Sequence, residues 1–244
     1  MLHGLDLFSG IGGLALALEP WVRPVAYCEI DRFCQRLLIE RMRQGRLPAA
    51  PIWDDVRTLA AGDLPAIDVV YGGFPCQDIS IAGAGRGLDG ERSGLVFEAL
   101  RLVAELRPSF VFLENTPAIR SRGAAVVVGR LAGLGYDARW DVLAAQDVGA
   151  PHRRERWWLL AYAVRERLPI ARTRANTASR DRGSARSHAE RRIQTSIWDT
   201  LDPELCRVFD GVSPKMDRIR ALGNAVVPAQ AREAFVRLIG TTNL

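Results

Sequence analysis

Cysteine, histidine and lysine are all scarce in this 244-residue chain, which has four cysteines, three histidines and the single lysine Lys215. Cys28, Cys34, Cys76 and Cys206 are scattered, with no pair at the two-residue spacing of a zinc knuckle or redox motif, and His3, His152 and His188 lie far apart. A structural metal and a disulfide framework are therefore not expected. Cys28, Cys34 and Cys206 read as small buried apolar residues, the usual fate of a cytosolic thiol. No apolar run approaches the roughly 18 residues that span a bilayer, and Met1–Asp6 lacks the basic start of a secretory signal. The expectation is a monomeric cytoplasmic protein without metal or membrane attachment.

Basic charge, by contrast, is plentiful. Thirty-two of the 33 basic residues are arginine, and the net charge is +5 with a pI near 9.4. That balance suits a polyanionic partner, since each phosphate neutralised releases condensed counterions; a GC-rich coding sequence would produce the same arginine bias. With 48% hydrophobic residues the chain is long enough for one substantial core.

Over the first 160 residues, strand-like apolar runs at Leu2–Phe8, Val25–Glu29, Ile67–Gly72, Phe110–Glu114 and Trp157–Ala161 alternate with helical patterns at Gly12–Glu19, Arg32–Arg43, Gly94–Leu106 and Ala124–Leu134. The alternation predicts an α/β fold, a doubly wound and mostly parallel sheet with helices on both faces. Two stretches depart from it. Ile79–Ser93 is glycine-rich and reads as a long loop on the sheet's carboxyl edge, where ligands of such sheets bind. Arg165–Arg192 is dense in arginine without apolar periodicity and reads as a linker or a basic face. Beyond it, Met216–Leu222 and Ala229–Ile239 read as a closing helical region.

Leu5-Asp6-Leu7-Phe8-Ser9-Gly10-Ile11-Gly12-Gly13-Leu14 is a strand that runs into a glycine turn and opens a helix, a place where backbone must approach a ligand closely. Glu29 ends the next strand, placed to accept hydrogen bonds from ribose hydroxyls. Asp55 is a candidate acceptor for an adenine amino group. Gly10, Gly12 and Ala15 also satisfy a loose dinucleotide fingerprint, so these residues alone leave a nicotinamide-dependent enzyme open.

Gly72-Gly73-Phe74-Pro75-Cys76-Gln77 ends a strand in a proline-held turn that would lift a thiol out of the sheet edge, where its thiolate is a nucleophile. Leu113-Glu114-Asn115-Thr116 would put a carboxyl on the same edge, and Pro151-His152-Arg153-Arg154-Glu155-Arg156 places arginines just before the next strand.

Taken in order with the glycine turn and with Gly223-Asn224-Ala225-Val226-Val227-Pro228, these motifs resemble those of the cytosine-C5 DNA methyltransferases, over about three quarters of the chain. The resemblance implies methyl transfer from S-adenosylmethionine to C5 of a cytosine flipped out of double-stranded DNA. It implies Cys76 as the nucleophile that adds to C6, Glu114 at N3, Arg154 at O2, and Arg156 bracing the site or the DNA backbone. Phe8, Gly10, Gly12, Leu14, Glu29, Asp55, Pro75, Leu95, Asn224 and Val226 map onto cofactor-contact positions, and Gln77, Ser80 and Arg92 onto the DNA. A non-catalytic or RNA-directed relative of the same fold is the alternative.

Residues 1–162 then form the catalytic and cofactor-binding domain, 163–207 a reduced target-recognition region, and 208–244 a segment returning to the catalytic domain. Two positions depart from the family's pattern, His152 where glutamine is usual and Thr116 where valine is commonest. The recognition region is about 45 residues long, short for the family, so relaxed or very short site recognition is expected. The arginines of 165–192 then serve phosphates more than base edges.

Overall fold

The computed structural model describes residues 1–75, 94–164 and 225–240. Seven strands form one sheet in the order β3-β2-β1-β4-β5-β7-β6. Their ranges are β1 Leu2–Leu7, β2 Val22–Cys28, β3 Ile52–Trp53, β4 Val69–Gly73, β5 Phe110–Asn115, β6 Tyr136–Ala144 and β7 Glu155–Ala163. The helices are α1 Gly13–Leu18, α2 Arg32–Arg43, α3 Leu95–Leu106, α4 Ile119–Arg122, α5 Ala124–Gly133 and α6 Pro228–Ile239.

Side chains alternate across the central strands and sort into two cores. Leu5, Leu7, Val70, Val111, Leu113, Trp157 and Leu159 face α3 and α5 with Val96, Leu100, Val103, Val127 and Leu131. Val69, Tyr71, Phe110, Phe112, Trp158 and Leu160 face α1 and α6 with Leu14, Leu18, Ala231, Phe235 and Leu238. Both faces of β5 are covered, and all six of its residues are buried, which is why the run reads as continuously apolar. Phe235 of α6 meets Phe112 edge-on at 5.2 Å, and Phe112 stacks on Trp158 at 5.5 Å. Truncating such a ring to alanine costs about 3–5 kcal/mol. The closing helix is thus anchored to the middle of the sheet, far from its own place in sequence.

β1, β2, β3, β4 and β5 run parallel, while β7 is antiparallel to both β5 and β6. The reversal follows from the connection. β6 and β7 are joined by residues 145–154, with no crossover helix, so the chain must turn back on itself. The sequence reading has no strand at β6, because Asp137, Arg139 and Asp141 sit among its apolar residues on an exposed edge. It also starts β2 at Val25, whereas the strand begins at Val22 and carries Pro24; a register irregularity between Gly4 and Leu5 accommodates the imino residue.

One consequence matters for function. The carboxyl ends of β1, β4, β5 and β6 and the amino end of β7 share one edge, so Phe8, Gly73, Asn115, Ala144 and Glu155 are neighbours in space.

Candidate active site

Residues at that edge fall into two groups. On the β1–β2 side, Phe8, Gly10 and Gly12 all have positive φ, at 54°, 53° and 83°. Among the described residues, a side chain on Gly10 would meet nothing nearer than the Phe8 carbonyl at 4.0 Å, so they leave one face of the turn open to a ligand. Glu29, 8% exposed, closes the turn from the next strand, its Oε2 accepting from the Gly10 N–H and its Oε1 from the Asp31 N–H, each at 2.7 Å. Burial raises its carboxyl above the usual glutamate range, and these backbone donors oppose the rise. A carboxylate offers about four lone-pair sites, so it keeps acceptor capacity beyond these backbone donors, which suits a ribose hydroxyl.

Other positions expected at the cofactor are distributed around this turn. Leu14 lies in the core shared with α6, leaving its backbone N–H at the start of α1 as its polar offering. Leu95 opens α3, and Val226 packs against the same core as Leu14. Asp55 is already clasped by Arg57, with Nη2 2.7 Å from Oδ2 and Nε 3.0 Å from Oδ1, and this bonding lowers its carboxyl. The sequence gives no hint of that partnership.

At the β4–β5–β7 end lies a buried acid–base pair. Glu114, 8% exposed, has Oε1 at 2.8 Å from Arg156 Nε. Desolvation pushes its carboxyl up to about 7, against the attraction of the Arg156 and Arg154 charges and the Arg156 hydrogen bond. Desolvation wins, so near neutrality this carboxyl is populated both as acid and as carboxylate. The Arg154 guanidinium is turned toward the closing segment, Nη2 donating to the Ala225 carbonyl at 2.7 Å. Burial lowers the Arg154 pKa first, and Arg156 lowers it further.

Two residues absent from the sequence-derived site complete the pocket. Gly73 lies opposite Glu114 in the β4–β5 register, and a Cβ there would come within 2.6 Å of Glu114 Oε2. Only a residue without a side chain leaves that carboxyl its place. Asn115, 2% exposed, donates from Nδ2 to the Phe74 carbonyl at 2.9 Å while its Oδ1 accepts from the Thr116 N–H. It fixes the backbone just before Pro75. Cys76, Gln77, Ser80, Arg92 and Asn224 lie outside the described residues.

Among the described residues, no group of three or more histidine, cysteine, aspartate or glutamate side chains could hold a metal. No helix among them is long and apolar enough to cross a membrane.

Comparison with known proteins places this architecture. A solved structure from E. coli, described as a DNA modification methyltransferase encoded within a prophage, superposes with a TM-score of 0.57 at 28% identity, over 70% of this chain and 49% of that one. Spodoptera frugiperda DNMT2 superposes at 0.59 with 19% identity, over 70% and 53%. The fold is thus the Rossmann-like fold of S-adenosylmethionine-dependent methyltransferases. In sequence, the type II methyltransferase M.CviJI of Paramecium bursaria Chlorella virus IL3A is 30% identical over 96% of this chain and 58% of its own length. M.HhaI of Haemophilus parahaemolyticus is 33% identical over 66% and 49%. The chain therefore spans about half the length of such relatives. A family model for C-5 cytosine-specific DNA methylases matches residues 2–234. That match takes in the glycine turn, the Glu114–Arg156 edge and the first half of the returning helix, and the chain belongs to the C-5 cytosine-specific DNA methylase family.

Proposed function

We propose that the protein is a DNA (cytosine-5-)-methyltransferase that takes its methyl group from S-adenosylmethionine and acts on a cytosine flipped out of double-stranded DNA. The observation that carries this reading is Glu114. It is a buried carboxyl poised near neutrality, braced by Arg156, beside the strand end that leads to Cys76.

The open glycine turn and Glu29 fit the cofactor, with Phe8, Gly10, Gly12, Leu14, Asp55, Pro75, Leu95, Asn224 and Val226 as the remaining contacts. When bound, S-adenosylmethionine supplies an electrophilic methyl on a sulfonium. The chain's own residues must make carbon 5 nucleophilic. In the proposed reaction the Cys76 thiolate adds to C6, the electron pair of the C5–C6 bond is directed to C5, and charge develops on N3 and O2. Neutral Glu114 donates to N3, and Arg154 meets O2 with Arg156 holding the carboxyl in place. After transfer N3 returns its proton to Glu114, a solvent base takes the C5 proton, and the electron pair of that C–H bond re-forms the C5–C6 double bond as the thiolate leaves C6. Gln77, Ser80 and Arg92 contact the DNA.

Unstacking the target base costs a few kcal/mol, which contacts in the pocket offset. Residues 1–162 supply the chemistry and 163–207 the target recognition. The segment 208–244 returns to the catalytic part, a division supported by the packing of α6 against α1 and β7. Transfer of labelled methyl to DNA but not to transfer RNA, with bisulfite sequencing showing 5-methylcytosine at a short site, is the expected result. Transfer to RNA alone would replace the DNA reading with the RNA-directed one.

A further inference from the structure

Among the described residues, Gln230 is the most deeply buried polar side chain outside the motifs, at 0% exposure in the first turn of α6. Its Nε2 donates to two carbonyls, Leu143 O at 2.7 Å and Arg154 O at 2.9 Å. These acceptors lie 87 and 76 residues away at the end of the β6–β7 ladder, Leu143 paired with Arg156 and Arg154 just beyond the Ala144–Glu155 pair. A buried amide is costly to place unless it is bonded, and here it donates to two backbone carbonyls, one on each of the two strands' ends.

What it holds is unusual. Arg154 has a positive φ of 21°, a sparsely populated conformation that persists only where its surroundings over-determine it. The Ala145 N–H also reaches the Arg153 and Arg154 carbonyls, at 2.9 and 3.2 Å. The side chain of the same arginine donates to the Ala225 carbonyl. One short stretch of chain, 225–230, therefore grips Arg154 at both main chain and guanidinium.

We infer that Gln230 is a positioning residue for Arg154, fixing the strained backbone from which its guanidinium is presented to the pyrimidine. The inference rests on the proposed methyltransferase reading for its catalytic consequence. Its structural half, the placement of Arg154 relative to Glu114, is independent of that reading. Arg154 lies in the field of Glu114 and holds its carboxyl down. Releasing Arg154 must change the Glu114 titration whether or not the protein methylates anything.

Two variants test this. Gln230→Met keeps the volume and removes both donors. Gln230→Glu, kept neutral by burial, restores one of them. With labelled methyl transfer as the assay, Gln230→Met is expected to lower kcat by about 10- to 100-fold, the cost of a displacement near 1 Å at a reacting centre. The cofactor KM should change less than twofold, and Gln230→Glu should fall between Met and wild type. Carbon-13 NMR titration of Glu114 should move in Gln230→Met by at least half a pH unit. Wild-type kcat in both variants, or an unchanged Glu114 titration in folded protein, overturns the inference. So does a parallel loss of kcat, cofactor affinity and Tm, which is the mark of a merely structural role. If Gln230→Met does not fold, the Gln230→Glu titration and kcat decide alone. Should wild type transfer no methyl to DNA while the Glu114 titration still shifts, the methyltransferase reading fails and the positioning role stands.

Discussion

Replacing Glu114 with glutamine should change how stability depends on pH, by an amount the structure sets. The wild-type carboxyl moves from an ordinary glutamate value of 4.5 to about 7 on folding, chiefly through desolvation. Between those values the folded protein binds more proton than the unfolded chain, so this group's stabilising contribution is present below about 4.5 and is lost as pH rises through 7. A shift of this size corresponds to about 3 kcal/mol in all, most of it between pH 5 and 8.

Glutamine does not titrate. The ion pair with Arg156 forms as Glu114 ionises, so its contribution is already contained in the shifted carboxyl and adds no separate pH-independent term. Urea unfolding of wild type and Glu114→Gln at matched pH therefore isolates the group, since every other titration cancels in the difference. Wild type should lose about 3 kcal/mol relative to the variant from acid to pH 8. A flat difference would mean Glu114 is not desolvated. A difference running the other way would mean that the arginines outweigh burial, leaving no neutral acid near pH 7. In the same variant turnover should fall by roughly 10²-fold or more, the typical worth of a positioned acid, with little change in cofactor affinity.

Two further perturbations address the rest of the edge. Gly73→Ala puts a methyl within 2.6 Å of Glu114 Oε2, so methyl transfer should drop by at least tenfold while cofactor binding by calorimetry stays within about twofold, the signature of misplacement at the reacting centre. Glu29→Gln exchanges a carboxylate for an amide that can accept through one atom only, so either the Gly10 or the Asp31 N–H loses its partner. Cofactor affinity should weaken by about 10- to 100-fold, in line with one charge-assisted hydrogen bond of about 1.5–3 kcal/mol; unchanged affinity would remove Glu29 from the cofactor site.

How much of this was legible beforehand follows from which interactions leave a periodic trace. β1, β4 and β5 and helices α2, α3 and α5 announce themselves, because burial of a strand on both faces gives a continuous apolar run and burial of one helix face imposes period 3.6. β6 does not, since an exposed edge strand tolerates Asp137, Arg139 and Asp141, and β3, at two residues, is too short to carry a pattern. The reversed direction of β7 depends on a connection without a helix, which apolar runs do not encode.

The site divides in the same way. Glu114, Arg154, Arg156 and Glu29 are recognisable by residue type at strand ends. Gly73, Asn115 and Gln230 act through contacts across the register or from distant segments. Gly73 needs the β4–β5 alignment to meet Glu114, and Gln230 needs α6 to return to the β6–β7 end. No spacing in a single chain reveals such meetings.

The central chemical claim is a covalent bond between a thiol and a pyrimidine, and trapping tests it most directly. Protein incubated with S-adenosylmethionine and duplex DNA carrying 5-fluorocytosine at the methylated site should yield an adduct, resistant to denaturant, that peptide mass spectrometry assigns to Cys76, because fluorine cannot leave as the C5 proton does. Cys76→Ser should give none. An active wild-type enzyme that forms no adduct on that DNA, or forms one at another residue, would contradict the account.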